Sequence, residues 1–272
     1  MEASVNLQRL RAHLRQYTKQ DCVLAFSGGI DSSLLLRVLA DCAREQGSAV
    51  HAVTFIGSLH PKADLTIARR VAAECGAPLT ELTMDELSNE ALLNNPVNRC
   101  YICKRYLFET LQRWAAERGI QTVLEGTNED DLHVYRPGVA AVRELGIHSP
   151  LAELGFTKQQ VRDMARELDI SVAERPSSPC MATRLPYGTR LEADVLRRIE
   201  DGESFLHALG FAAVRLRLHQ DVVRLEVPPA DFPRFLAQRE AVIERLHALG
   251  FVYITLDLEG LRSGSMDVYL NQ

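Results

Sequence analysis

Short apolar runs alternate with amphipathic stretches through the first half of the chain. Residues 4–18 predict an amphipathic helix that leads into the apolar run Cys22-Val23-Leu24-Ala25-Phe26. That run has the length of one buried strand of a parallel sheet. It stops at Ser27-Gly28-Gly29, and a helical pattern (Leu34, Leu35, Val38, Leu39) begins directly after. Ala49 to Phe55 predicts a second buried strand, Asp64 to Glu74 a helix closed near Gly76, and Pro78 to Leu82 a short strand. Asp85 to Leu93 predicts a short helix, stopped by Asn94-Asn95-Pro96. A longer helix carries Tyr106, Leu107, Leu111 and Trp114 at helical spacing and ends at Gly119, before a strand from Gln121 to Leu124. Strands and helices alternating at this spacing predict an α/β fold with a doubly wound parallel sheet. Ligands of such sheets sit at the carboxyl ends of the strands.

From about Ser171 to Arg190 the pattern turns irregular, and the domain boundary is placed there: residues 1–175 as the first domain and 176–272 as a smaller α+β domain. The second half predicts a helix (Glu192 to Leu209), two strands separated by His219-Gln220-Asp221, a helix (Asp231 to Leu249) and a strand (Phe251 to Leu258). Leu206-His207-Ala208-Leu209-Gly210-Phe211 and Leu246-His247-Ala248-Leu249-Gly250-Phe251 match almost residue for residue. They suggest two helix-to-strand passages of similar build and an internal pseudo-symmetry, although Gly-capped helix ends also look alike by chance. Their histidines read as exposed helix positions.

At 272 residues the chain has room for one large domain or two unequal ones. It is 46% hydrophobic and 25% charged, an ordinary globular composition. No apolar run approaches the ~20 residues of a membrane span, and the amino-terminal pattern lacks signal-peptide features. Six cysteines in that setting point to reduced thiols and a cytoplasmic protein. A net charge of −5 argues against a nucleic-acid partner.

Strand, glycine turn and helix start together make an anion site at Ser27-Gly28-Gly29-Ile30-Asp31-Ser32-Ser33. The serines can add donors, and Asp31 suits a Mg²⁺ carried by a phosphate. Cys100 and Cys103, in Cys100-Tyr101-Ile102-Cys103, share one face at a helix start, which suits metal or redox work as well as plain packing. Cys180 lies in a Pro/Ser-rich loop with Arg184 nearby to favour the thiolate. These three cysteines could ligate three irons of a [4Fe–4S] cluster, or hold zinc with one further ligand. Cys22, Cys42 and Cys75 read as packing residues. Glu125-Gly126-Thr127-Asn128-Glu129-Asp130-Asp131 follows a strand and could bind Mg²⁺, ribose or an activated carboxylate, or be a solvated turn. Arg215 and Arg217 alternate on one strand face and could clamp a phosphate; Glu226 alternates likewise on the next. Exposed sheet charge is the other reading of all three.

SGGIDSS resembles the PP-loop of the ATP-pyrophosphatase superfamily, which includes NAD and GMP synthetases and several tRNA-modifying enzymes. The Gly-Lys-Ser/Thr ending of a Walker A loop is absent. With NRCYICK (98–104), EGTNEDD (125–131), RPG (136–138), SSPCMATRLPYGT (177–189) and DLEGLRSGSMD (257–267), the resemblance covers nearly the whole chain, in order. Together these motifs look like the LarE family, PP-loop ATP-dependent sulfur transferases that mature the nickel-pincer nucleotide of lactate racemase.

The resemblance implies that ATP adenylylates a ring carboxylate of pyridinium-3,5-biscarboxylic acid mononucleotide, releasing pyrophosphate, and that sulfur then replaces AMP. It implies ATP, Mg²⁺ and a [4Fe–4S] cluster as cofactors, with Cys100, Cys103 and Cys180 as cluster ligands. Relatives with only one cysteine, at the place of Cys180, sacrifice it instead. By the same carry-over Ser27, Gly28, Gly29, Asp31, Ser32 and Ser33 bind ATP phosphates and Mg²⁺, with Thr127 alongside. Arg184, Arg215 and Arg217 hold the mononucleotide phosphate near the sulfur source, and Glu203 and Glu226 contact metal or substrate. A homo-oligomer is expected, with a small nucleotide as substrate, no nucleic acid or membrane as partner, and a sulfur donor that the sequence does not name. The rival readings are a PP-loop tRNA thiolase, an ammonia-using ligase and a non-enzymatic cluster or zinc module.

Overall fold

The computed structural model describes residues 2–134, 136–176, 178–262 and 264–266; Ser177, Ser263 and Asp267 of the motifs above lie outside the described residues. The chain forms two compact units. One comprises 1–84 and 98–178, the other 85–97 and 179–272.

The first unit runs α1 (Glu2–Leu14), β1 (Cys22–Ala25), α2 (Ile30–Gln46), β2 (Val50–Ile56), α3 (Lys62–Cys75) and β3 (Leu79–Thr83). After α4 (Glu90–Leu93), which belongs to the second unit, it resumes with α5 (Arg99–Ala116), β4 (Thr122–Leu124), α6 (Pro137–Glu144), α7 (Pro150–Glu153) and α8 (Lys158–Glu167). The four strands lie in the order β3-β2-β1-β4 and every pairing is parallel. Side chains of β1 alternate between the two faces. Cys22 and Leu24 pack with Leu10 of α1, Leu35 of α2, Val71 of α3 and Met164 of α8, while Val23 packs with Leu111 of α5 and Val142 of α6. Helices thus cover both faces, as a doubly wound sheet requires. Burial of β1 on both sides is also why its run has no polar alternation. No helix of the described residues is long and apolar enough to cross a membrane.

The second unit adds α9 (Ala193–Ala208), β5 (Arg215–His219), β6 (Val222–Glu226), α10 (Phe232–Ala237), α11 (Arg239–Ala248) and β7 (Tyr253–Leu256). Its sheet has the order β5-β6-β7, antiparallel in the first pair and parallel in the second. The α9 helix approaches closely at Gly202, where an added Cβ would stand 2.7 Å from Leu216 and 3.2 Å from Leu246.

The two Leu-His-Ala-Leu-Gly-Phe passages are alike in their bonding as well. His207 Nδ1 donates to the Phe211 carbonyl at 2.7 Å, and His247 Nδ1 to the Phe251 carbonyl at 2.9 Å. An arginine lies over each phenylalanine ring, Arg234 at 4.3 Å and Arg198 at 4.8 Å, and donates to the adjacent glycine carbonyl. The expected single helix from Asp231 to Leu249 is interrupted at Gln238 (φ −104°, ψ 11°). The break lets Phe235 stack on Phe211 while α11 presents Val242 and Leu246 inward.

Candidate functional site

The turn Ser27–Gly29 is built where β1 ends and α2 begins. Gly29 caps α2 in an extended conformation with no side-chain partner for the first-turn amides, so those donors stay open to a ligand. Gly28 has φ +70°, and a Cβ there would meet the Ala68 backbone nitrogen at 2.9 Å; only glycine permits this contact with α3. Ser27 is exposed, and its Oγ accepts from the Gly29 amide at 3.3 Å and lies 3.2 Å from Ser32 Oγ. Ser33 differs from expectation. It is fully buried, its amide is spent on the Gly29 carbonyl at 2.9 Å, and its hydroxyl has no partner among the described residues.

The strand-end loop 125–131 closes over the turn. A Cβ on Gly126 would stand 3.1 Å from the Ser32 amide nitrogen, so glycine again sets the approach. Asn128 Nδ2 donates to Asp31 Oδ1 at 3.1 Å, and Lys158 at the start of α8 pairs with Asp31 Oδ2. Thr127 and Glu125 form a buried set: Glu125 accepts from Lys104 at 3.2 Å, Thr127 Oγ1 at 2.9 Å and Ser149 Oγ at 2.5 Å. Burial alone would raise the Glu125 carboxyl, but Lys104 and these hydrogen bonds hold it below the usual carboxylate range. Asp131 goes the other way. Burial pushes it up, with Asp31 adding to the effect and Arg136, 3.0 Å away, opposing it.

Two cavities open on the turn. One, of about 310 Å³, has an apolar wall that includes Phe55, Leu65 and Phe108, and a polar end with Ser27, Lys104 and Thr127. The other, of about 560 Å³, gathers Asp31, Asp64 and Asp131 with Lys158, Arg162 and Arg175. The first suits a flat apolar ring such as adenine, the second a polyphosphate with its cation. Lys104, Lys158, Arg162 and Arg175 were not read from sequence as site residues. The Thr157–Gln160 capping box marks the start of α8, but nothing local shows that this start faces the turn.

The cysteines fall into two groups. Cys22, Cys42 and Cys75 are buried, and burial pushes their thiols up, Cys22 to about 12 and Cys75 to about 11. They are packing residues, as their apolar settings predicted. Cys100 is exposed and Cys103 half-buried on the first turn of α5, in the first unit. Cys180, in the second unit, caps the short turn Met181–Arg184, and its Sγ accepts from the Ala182 amide at 3.4 Å. Among the described residues no three His, Cys, Asp or Glu side chains are set as a metal cage.

Arg184 departs from its expected role. It is 2% exposed and fully engaged: it pairs bidentately with Glu203 at 2.9 and 3.0 Å and donates to the carbonyls of Pro179 and Cys180. It shapes the Cys180 turn, with its Nε, Nη1 and Nη2 each bonded within the second unit. Glu203 is likewise occupied, since it also accepts from the Leu216 amide at 2.9 Å. Glu226 Oε1 accepts from Arg217 at 2.9 Å and from Ser265 at 2.7 Å, while its buried Oε2 has no hydrogen-bond partner among the described residues. Arg217 also donates to the Thr183 carbonyl at 2.6 Å. Arg215 is half-buried; burial and the neighbouring Arg184 and Arg217 lower its proton affinity.

A strand–turn–helix holding an open phosphate site at the edge of a parallel sheet defines a nucleotide-binding α/β protein, and residues 2–134 match the PP-loop domain family. The chain is 38% identical over 248 residues to a pyridinium-3,5-bisthiocarboxylic acid mononucleotide synthase of Lactiplantibacillus plantarum, covering 91% of this chain and 89% of that protein. It is 36% identical over 264 residues to an uncharacterized protein of Synechocystis, covering 96% and 97%. A tRNA-specific 2-thiouridylase of Acetivibrio thermocellus is more distant, at 26% over 230 residues, with 68% and 62% covered. The chain belongs to the LarE family of PP-loop ATP-dependent sulfurtransferases.

Proposed function

We propose that the protein converts pyridinium-3,5-biscarboxylic acid mononucleotide to its thiocarboxylic form with ATP. A ring carboxylate oxygen attacks the α-phosphorus, pyrophosphate leaves, and sulfur then displaces AMP at the carboxyl carbon; the second carboxylate follows the same course. The first-turn amides of α2 and the Ser27 hydroxyl bind phosphate oxygens, Asp31 orients Mg²⁺, and Lys158 and Arg162 neutralise the departing pyrophosphate. In the second unit Arg215 would take the mononucleotide phosphate, with Arg217, itself paired with Glu226, on the same strand.

The observation that carries the sulfur step is the division of the cysteines. Three are buried among apolar side chains, while Cys100 is exposed, Cys103 and Cys180 are half-buried, and none of these three lies in the apolar core. Three thiols have the chemistry to hold three irons of a [4Fe–4S] cluster and leave the fourth open. Such a cluster, when bound, supplies a replaceable sulfur for the activated carboxyl. The chain's own residues bind and activate the carboxylate and exclude water from the adenylate.

The test is iron and sulfide content of protein purified without oxygen, beside Cys100→Ala, Cys103→Ala and Cys180→Ala. About four irons per chain, lost in each variant, supports the cluster. An iron-free protein whose Cys180 loses the elements of H₂S during turnover makes that cysteine the sacrificed donor and removes the cluster.

A further inference from the structure

The segment 85–97 interrupts the first unit in sequence but belongs to the second. Its Asn95 is fully buried and holds φ +45°, a conformation that residues other than glycine rarely adopt. Its carboxamide nitrogen faces three backbone carbonyls, those of Ala182 at 3.2 Å, Leu185 at 3.1 Å and Pro186 at 3.0 Å. Three acceptors around one terminal atom fix it as the nitrogen. The Asn95 Oδ1 has no hydrogen-bond partner among the described residues. The Asn95 carbonyl accepts from the Gly188 amide at 3.1 Å, and that of Leu93 from the Leu191 amide at 2.7 Å.

The three carbonyls around the Asn95 nitrogen belong to the turn that Cys180 begins and to the two residues after it. A four-residue 3₁₀ turn does not hold itself, because few of its backbone groups find partners within it. Two buried side chains hold it from opposite ends. Arg184 ties the carbonyls of Pro179 and Cys180, and Asn95 those of Ala182, Leu185 and Pro186. With both ends fixed, the Ala182 amide stays aimed at Cys180 Sγ.

We propose that Asn95 is a positioning residue for the Cys180 sulfur, acting through the turn Met181–Arg184. The assignment rests on the reading of Cys180 as a sulfur ligand or donor. The Ala182 N–H meets Cys180 Sγ at 3.4 Å, so the shape of the turn sets where the sulfur sits. Loosening the far end of the turn releases that donor and lets the sulfur move away from its working position.

The test uses the full-length protein with Asn95→Gly, which keeps the left-handed backbone and removes the carboxamide, and Asn95→Asp, which keeps the shape but faces oxygens to the three carbonyls. Iodoacetamide modification of Cys180, in protein purified with EDTA and followed by peptide mass, is expected to change by about fivefold in both, as the sulfur leaves its place against the turn. Thiocarboxylate turnover is expected to fall about tenfold with the KM for ATP unchanged, a split that general loss of structure would not give. Folded variants with modification rates and turnover within twofold of the parent overturn the assignment. Should Asn95→Gly not fold, Asn95→Asp decides. In the unaltered chain the Thr183 and Leu185 amides are expected to exchange slowly, and loop-like exchange there also overturns it. A Cys180→Ser protein that still forms thiocarboxylate sinks the sulfur reading instead, and the modification rates then decide the hold of Asn95 on the turn by themselves.

Discussion

Gly28 and Ser33 stand five residues apart in one motif and do different kinds of work. Gly28 lets the turn lie against the backbone of α3, so Gly28→Ala must take a left-handed conformation and push against Ala68. It is expected to cost about 2 kcal/mol, read as a lower urea midpoint, and to abolish ATP-dependent pyrophosphate release. Ser33 shows the opposite. With a buried, unpartnered hydroxyl it is expected to tolerate Ser33→Ala with ATP use unchanged and stability equal or about 1 kcal/mol higher. Loss of ATP binding in that variant would restore the motif's literal reading. The motif was legible in sequence because glycine and serine at a strand–helix junction have local causes. The role of Ser33 was not, because which serine faces the ligand depends on the rotation of α2. Glu125 adds a pH dependence. Its folded-state carboxyl lies below the ordinary 4.5, so its ionised form contributes stability above that pH and loses it as pH falls through the folded value. Glu125→Gln is expected to destabilise by about 2 kcal/mol at pH 7, with the difference shrinking below about pH 4, in urea titrations at the two pH values.

Elements followed the same division between local and long-range causes. The β1 strand, the start of α2 and the Gly76 end of α3 were legible, since an apolar run buried on both faces and a left-handed glycine cap each leave a signature. The break at Gln238 was not, because it serves Phe235 and Phe211, which meet only in the folded unit. The repeated helix-to-strand passages were visible as letters, and their shared stack of arginine on phenylalanine gives them content. Arg198→Ala and Arg234→Ala each remove a cation over a ring and a donor to a glycine carbonyl, and Arg198→Ala also removes a bond to the Leu249 carbonyl at 2.6 Å. Each is expected to lower stability by about 1–2 kcal/mol in denaturant titrations, with the Arg198→Ala loss the larger by its extra hydrogen bond, about 1 kcal/mol. A loss at one site only would make the likeness one of sequence.

At the scale of the whole molecule, the placement of 85–97 changes what counts as a domain. The sequence reading drew one boundary near residue 175, because an irregular Pro/Ser-rich stretch marks a change of pattern. A short helix ended by Asn94-Asn95-Pro96 looks the same whichever unit it serves, so its membership could not be read from its own letters. In the structure this segment gives the second unit the three Asn95 side-chain contacts and two backbone hydrogen bonds, and it buries Leu92. At about 1 kcal/mol for each hydrogen bond and about 2 for the leucine, the segment contributes several kcal/mol. The total stability of a small unit is only about 5–15 kcal/mol. Residues 179–272 expressed alone are therefore expected to lack a cooperative thermal transition in circular dichroism, and an added peptide of residues 85–97 to restore one in proportion to its concentration. A fragment that melts cooperatively without the peptide would show that the segment leans on a unit already complete. The turn after Cys180 would then owe its shape to Arg184 alone.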